Sequence, residues 1–291
     1  MNLQLLVQVA VSGALAGGLF ALMAMGLSLT WGMLRVINVA HFGMILLGAY
    51  LTYELSSAAS VDPLLTLLIT VPLMFAAGAA IQWLFQASRI SEFNSLLVSF
   101  GILIIAGQLI TNYWTADFRQ IAPAFNPYVR QSIRLGDFVL PLHHLVGFAF
   151  ATAIAIGGYL ALERTFIGRA MRAFAQDRAI AGAFGIDHDR LALLLAGAAG
   201  ATAAVAGTLW ALGNPLTPAQ GFEWIGIVFA IVIIGGIGNL LGTLVAGALV
   251  VALYSVVSLV WSPSVAPLVV FSAIVLTLVL RPQGLFGRRG S

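Results

Sequence analysis

Apolar runs long enough to cross a bilayer recur from one end of this chain to the other, with little charge between them. A crossing takes about 20 apolar residues. Runs of suitable length lie near residues 5–30, 64–86, 94–114, 141–162, 190–212 and 243–261, and shorter or interrupted ones near 38–55, 225–241 and 265–280. Soluble domains carry about 25% charged residues, whereas here only 8% are charged, too few to cover a water-facing surface. The expected fold is all-α. It is a polytopic membrane protein of eight or nine transmembrane segments, some short or broken at glycines, forming a single transmembrane domain over residues 1–291. The N-terminal MNLQLLVQVA lacks the basic region and cleavage pattern of a signal peptide and reads as a retained first span.

Residue types that are missing narrow the function. All 13 basic side chains are arginine, so the formal charge of +3 does not point to nucleic acid. Without lysine the chain cannot build the G-x-x-x-x-G-K-[ST] loop that cradles nucleotide phosphates. The absence of cysteine rules out disulfides and thiolate metal sites. Histidines stand at 41, 143, 144 and 188, with no H-E-x-x-H and no paired carboxylates inside a span, so no catalytic, metal or cofactor site is expected. No Asp, Glu or Arg lies in the middle of a span. Ion-coupled carriers keep ionisable relays at that depth, so the pattern favours a path for neutral or zwitterionic solutes.

Arginine placement sets the expected orientation, because short cytoplasmic loops accumulate it. Arg35, Arg89, the five between 164 and 190, Arg281, Arg288 and Arg289 fall on one side, and Arg119, Arg130 and Arg134 on the other. The C-terminus is therefore expected in the cytoplasm. The N-terminus lies opposite only if 38–55 crosses fully; if that segment is re-entrant, the N-terminus changes side.

The cytoplasmic loop at about 163–190 places Ile167, Ala170, Met171 and Phe174 on one helical face and Arg169, Arg172 and Gln176 on another. Asp177 is positioned to cap a second short helix that Gly185 would stop, and Asp187 or Asp189 to cap the helix that re-enters the membrane. A basic helix of this kind either rests on anionic lipid or docks a cytoplasmic partner. Two helices are more structure than a connector needs, which favours docking. The largest external loop, about 115–140, carries three arginines and several aromatics, suited to the acidic rim of a partner and equally to simple solvation.

Two interrupted stretches stand out. In VINVAHFGMILLGAY (36–50), Asn38 and His41 are three apart and share a helical face. They either satisfy freed backbone groups at a helix start, with Asn38 as N-cap, or line a translocation path together with Phe42 and Gly43. Transporters tolerate broken helices where they border a cavity. The second stretch, GGIGNLLG (235–242), reads the same way. Gly235, Gly236, Gly238 and Asn239 form either a turn between spans or a flexible gate. The spacing Gly43-x4-Gly48-Ala49 recurs as Gly242-x4-Gly247-Ala248, from a repeat or from small-residue helix packing.

Four segments carry a family resemblance: GLFALMAMGLSLTWGMLRVINVAH (18–41), TFIGRAMRAFAQDRAIAGAFGID (165–187), IVIIGGIGNLLGTLVAGAL (231–249) and LVLRPQGLFG (278–287). In this order they resemble the permeases of branched-chain amino acid ABC importers, within the hydrophobic amino acid, amide and urea uptake family. The resemblance implies a bacterial inner-membrane permease with several partners. These are a second permease subunit (sister or self), two cytoplasmic ATPases, a periplasmic substrate-binding protein and the surrounding lipid. It implies ATP-driven import of branched-chain amino acids or related small solutes by alternating access, without a cofactor of its own. It assigns Gly168, Arg169, Arg172, Asp177 and Gly185 to the helices that couple to the ATPase. The chain departs from the family pattern at Phe42, where glycine usually follows the histidine, and at Gly226-Ile227-Val228-Phe229, where a lysine is missing. Both departures leave room for a substrate other than leucine, isoleucine or valine. A passive channel for a small neutral solute such as urea is the competing reading, and it leaves the two-helix cytoplasmic loop unexplained.

Overall fold

The computed structural model describes residues 3–136, 138–176, 182, 187–281 and 283–287. Helix α1 (Leu3–Leu29) continues as a π-helical segment, Thr30–Leu34. It is followed by α2 (Ala40–Ala59), α3 (Leu67–Ala87), α4 (Glu92–Trp114) and the short α5 (Pro127–Arg130). Strands β1 (Ser132–Leu135) and β2 (Phe138–Pro141) form an antiparallel hairpin, with Ser132 opposite Pro141. The chain continues as α6 (Leu142–Arg164), α7 (Phe166–Gln176), α8 (His188–Gly213), α9 (Gln220–Gly235), α10 (Leu240–Val260) and α11 (Ala266–Leu280).

Hydrogen bonds sort the helix ends into two sets. At the arginine-rich end, Gly238 N donates to Ser28 Oγ (2.9 Å), Gln86 Nε2 to the Asp189 carbonyl (3.3 Å) and Leu285 N to the Ile234 carbonyl (2.8 Å). At the opposite end, Gln8 Nε2 donates to the Val139 carbonyl (2.7 Å), Trp114 Nε1 to Glu54 (2.8 Å) and Asn126 Nδ2 to the Leu212 carbonyl (2.7 Å). Helix α2 therefore runs from one end to the other; its 20 residues span about 30 Å, the thickness of a hydrocarbon core. The start of α1 lies at the end opposite the C-terminal segment.

Among the described residues, six helices are long and apolar enough to cross a membrane: α1 with its π segment, α3, α4, α6, α8 and α10. Helix α2 carries His41, Tyr50, Tyr53 and Glu54, and most of it is buried against α8, α4, α3 and α9. Its polar groups therefore meet protein rather than lipid. Helices α9 and α11, of 16 and 15 residues, reach only about 24 and 22 Å. The outward faces of α3, α4 and α11 expose large apolar side chains, among them Leu68, Phe93, Leu109 and Val279, the surface that a bilayer covers.

Small residues let the helices approach closely. A Cβ on Gly17 of α1 would strike the Gly247 backbone of α10, and one on Gly200 of α8 would strike the Met74 backbone of α3. Gly48 lies against Ala204 and Gly247 against Ala21, so the two echoing glycine motifs both serve helix crossings. The run near 225–241 is not one helix. It ends at Gly235, turns, and restarts at Leu240.

Candidate functional site

The site is built where α1 loses its α-helical hydrogen bonding. Thr30 Oγ1 donates back to the Gly26 and Leu27 carbonyls (3.3 and 3.1 Å), a pattern that bends helices, and the next turn widens to π geometry. Arg35, at φ 56°, closes it by donating N–H to the Trp31 carbonyl (3.1 Å). Ile37 and Val39 are then fastened to α4, since Val39 N donates to Ser99 Oγ (3.0 Å) and Ser99 Oγ donates to the Ile37 carbonyl (3.2 Å).

The capping role expected of Asn38 is not what the structure contains. Val39 occupies the N-cap position and makes no side-chain cap. The first amides of α2 are met by main chain instead, His41 N donating to the Asn38 carbonyl (3.2 Å) and Phe42 N to the Val39 carbonyl (3.1 Å). The Asn38 side chain is buried, and among the described residues its Oδ1 has no hydrogen-bond partner. A capping side chain suits a helix start that faces water; this one is enclosed, and Ser99 and the preceding turn have taken the amides.

His41 reaches across to α1, where its Nε2 donates to the Met23 carbonyl (3.0 Å). Its ring lies against Gly26, where a Cβ would meet Nε2 at 2.8 Å. Phe42 is fully buried and stacks on Phe229 of α9 at 6.5 Å, and Phe229 in turn meets Trp31 at 5.7 Å. A Cβ on Gly43 would come to 3.1 Å from Ala106 of α4.

The α9–α10 turn arrives at the same place. Gly236 and Gly238 have φ of 88° and 81°, backbone that favours glycine. Asn239 caps α10 by accepting from Gly242 N (3.0 Å) and donates Nδ2–H to the Phe286 carbonyl (2.6 Å). Gly235 packs against Thr243. Gly238 sits on Gly32 so closely that a Cβ on Gly32 would lie 2.5 Å from the Gly238 Cα. The two interrupted stretches, about 200 residues apart in sequence, thus converge on α1 and its π segment between Met23 and Gly32.

Helix α7 borders this junction. A cleft of about 290 Å³ is shared by Gly32 and Met33, by Glu163 and Arg172, and by Gly238 and Asn239. Arg172 forms an ion pair with Glu163 of α6, so it braces α7 against α6. Gly168 is buried against the Ala161 and Leu162 backbone, while Arg169 is exposed and donates to the Arg164 carbonyl (3.4 Å). Phe166 and Ile167, at the start of α7, are also exposed. Asp177 and Gly185 lie outside the described residues. Asp187 caps α8 by accepting from Arg190 N (3.1 Å), as expected.

Sequence reasoning missed Ser99, Ser28, Trp31 and Glu163, while Phe229 lies in the stretch 226–229 that it had singled out as a departure from the family pattern. Ser99 and Ser28 look like ordinary span residues, and Glu163 and Arg172 are nine apart across a helix break, a spacing no helical rule pairs. At the opposite end, Tyr128 OH donates to Asp62 (3.2 Å). Burial, followed by the Asp62 charge and that hydrogen bond, raises the Tyr128 pKa.

The family described as "Branched-chain amino acid transport system / permease component" matches residues 9–280. The high-affinity branched-chain amino acid transport system permease protein BraD of Pseudomonas aeruginosa is 25% identical, over 96% of this chain and 94% of the relative. The corresponding LivH protein of Salmonella typhimurium is 26% identical over 95% and 94%. The probable branched-chain amino acid transport permease protein LivH of Methanocaldococcus jannaschii is 26% identical over 80% and 75%. No solved structure matches.

Proposed function

The chain belongs to the family of branched-chain amino acid transport permease components, and from that premise we propose that it is the membrane-spanning subunit of an ATP-driven importer. As a permease component it is a transport subunit and not an enzyme. The arginine-rich end faces the cytoplasm. The solute, a branched-chain amino acid or a related small neutral or zwitterionic molecule, moves inward by alternating access. Two cytoplasmic ATPases, a second permease subunit (sister or self) and a periplasmic binding protein complete the assembly.

One observation carries this reading: the amphipathic helix α7 borders the same junction on which both interrupted stretches converge. The exposed tip at Phe166 and Ile167 receives the ATPase. Displacement of α7 passes through the Arg172–Glu163 pair to the π segment and the α9–α10 turn. These elements hold the linker at 35–39, whose Ser99 hydrogen bonds break and re-form as the linker shifts. The Trp31–Phe229–Phe42 aromatic set then opens or closes the passage. Asn38 Oδ1, without a partner among the described residues, is offered to the passing solute. A buried polar atom without a partner costs about 1–3 kcal/mol, and a solute hydrogen bond would recover part of it.

Reconstitution tests the reading. Proteoliposomes containing the permease with its ATPases should accumulate radiolabelled amino acid only when ATP and the binding protein are both supplied. Equilibration without ATP, at the same initial rate, would instead establish the passive channel.

A further inference from the structure

A second cleft, of about 590 Å³, opens at the arginine-rich end between the C-terminal turns of α3, the start of α4, the start of α8 and the linker after α1. Gln82, Phe85 and Gln86 line it from one face of α3, and Arg89 lines it from the turn just after the helix. Gln86 is spent on the wall, where its Nε2 ties α3 to the Asp189 carbonyl. Gln82 is 8% exposed, and among the described residues its amide makes no protein hydrogen bond. It stands within α3, before the helix ends at Ala87, and Arg89 lies just beyond that end. The mostly buried Gln82 side chain lines the cleft, and a ligand there would meet its amide.

Two charged side chains at the rim lack partners among the described residues. Among the described residues the Arg89 guanidinium and the Glu92 carboxylate make no ion pair and no side-chain hydrogen bond, with each other or with any other group. Both line the cleft, and Asp189 adds a second carboxylate. Between rim and floor the walls are apolar, with Leu34, Phe85 and Ala192 all buried. A cation or an anion alone would satisfy only half of such a rim. We propose that this cleft binds a free α-amino acid whose side chain ends in a hydrogen-bonding group. Arg89 holds the α-carboxylate, Glu92 and Asp189 hold the α-ammonium, the aliphatic stem lies on Phe85 and Leu34, and Gln82 receives the tip.

The cleft lies apart from the junction at Gly32 and Gly238, and it bears on the linker. Leu34 and Val36 face it, whereas Arg35 and Ile37 line a separate cleft of about 390 Å³ on the linker's other side. Glu92 borders both. An occupant of the first cleft therefore wedges one side of the segment that must move between α1 and α2. Solute accumulating at this end acts back on the permease.

Equilibrium binding to the full chain in nanodiscs tests the site without requiring transport. L-Glutamine should bind more tightly than L-leucine, and glutamine α-amide, which lacks the carboxylate, should bind more weakly. Arg89→Gln should weaken glutamine by about tenfold or more, the worth of one charge-assisted contact. Gln82→Leu should invert the order in favour of leucine, a gain that a misfolded variant cannot produce. Equal affinities in wild type and Arg89→Gln would overturn the proposal, as would an unchanged preference in Gln82→Leu. No amino acid binding, combined with loss of ATPase capture by Arg89→Gln, would also overturn it and make the cleft a protein-docking surface. Normal ATP-driven uptake alongside any of these failures would leave the permease reading standing and remove only this site.

Discussion

Replacing Gly32 with alanine adds one methyl at the tightest point of the junction. The new Cβ would lie 2.5 Å from the Gly238 Cα and 2.7 Å from its nitrogen, where ordinary contact begins at 3.4 Å. Both obstructing atoms are backbone, so the α9–α10 turn must retreat by about 1 Å to restore van der Waals separation. That retreat stretches the 2.9 Å bond from Gly238 N to Ser28 Oγ past hydrogen-bonding range. Overpacking of this kind costs about 1–3 kcal/mol, and the lost hydrogen bond about 1 kcal/mol more. Propensity alone predicts the opposite sign, since Gly→Ala inside a helix stabilises by about 1 kcal/mol. Conformers of a working transporter differ by only a few kcal/mol, so the substitution should redistribute them as well as lower stability. The assay is paired: thermal melting of the purified assembly, and ATP-driven uptake by the same preparation in proteoliposomes. Gly32→Ala should melt lower and lose about tenfold or more of its uptake per folded assembly. Gly101→Ala is the control, because a Cβ there meets nothing within 4 Å; it should melt no lower and transport normally. If Gly32→Ala melts and transports like wild type, the close approach has no mechanical role. If it melts lower yet transports at the normal rate per folded assembly, the junction is packing and not a gate.

Three further outcomes are expected. Arg172→Glu sets a second carboxylate against Glu163; losing the pair costs about 1 kcal/mol, and ATPase activity should uncouple from uptake, with recovery in the swapped Glu163→Arg/Arg172→Glu protein. Failure of the swap to recover coupling would reject the brace. Asn38→Ala should cost none of the roughly 0.5–2 kcal/mol that loss of a helix cap brings, so melting should hold while uptake falls; a melting loss of that size would restore the capping role. Ser99→Ala strands the Val39 N–H, so melting should fall by the equivalent of about 1–3 kcal/mol, and unchanged melting would show that the linker is not held there.

The helices were legible because lipid imposes one rule on every span, namely enough apolar length. The runs near 64–86, 94–114 and 141–162 therefore appear as α3, α4 and α6 with only small shifts at their ends. The turn at 236–239 was legible from its glycines, and α7 from its helical periodicity. Helix α2 was ambiguous because hydropathy assumes a lipid neighbour, whereas its neighbours are protein. The π segment left no signal, since Thr30 looks like any span residue until its hydroxyl is seen bonding backwards. Of the two roles open to Asn38, the capping one fails for a related reason. Sequence rules for caps describe helix starts in water, and they cannot see Ser99 arriving from 60 residues away to take the Val39 amide. The partnership of Gly32 with Gly238 is tertiary in the same way, because neither glycine announces the other.

In the proposed mechanism, the junction of α1, α2 and the α9–α10 turn must move for solute to pass. The chain has no cysteine of its own, so Trp31→Cys with Phe229→Cys introduces a clean pair where the two rings now meet at 5.7 Å. The measurement is ATP-driven uptake by the doubly substituted assembly before bridging with a short, reducible bifunctional thiol reagent, after bridging, and after reduction. Bridging should stop uptake, reduction should restore it, and neither single-cysteine protein should respond. Uptake continuing at the unbridged rate with the bridge fully formed would contradict the mechanism.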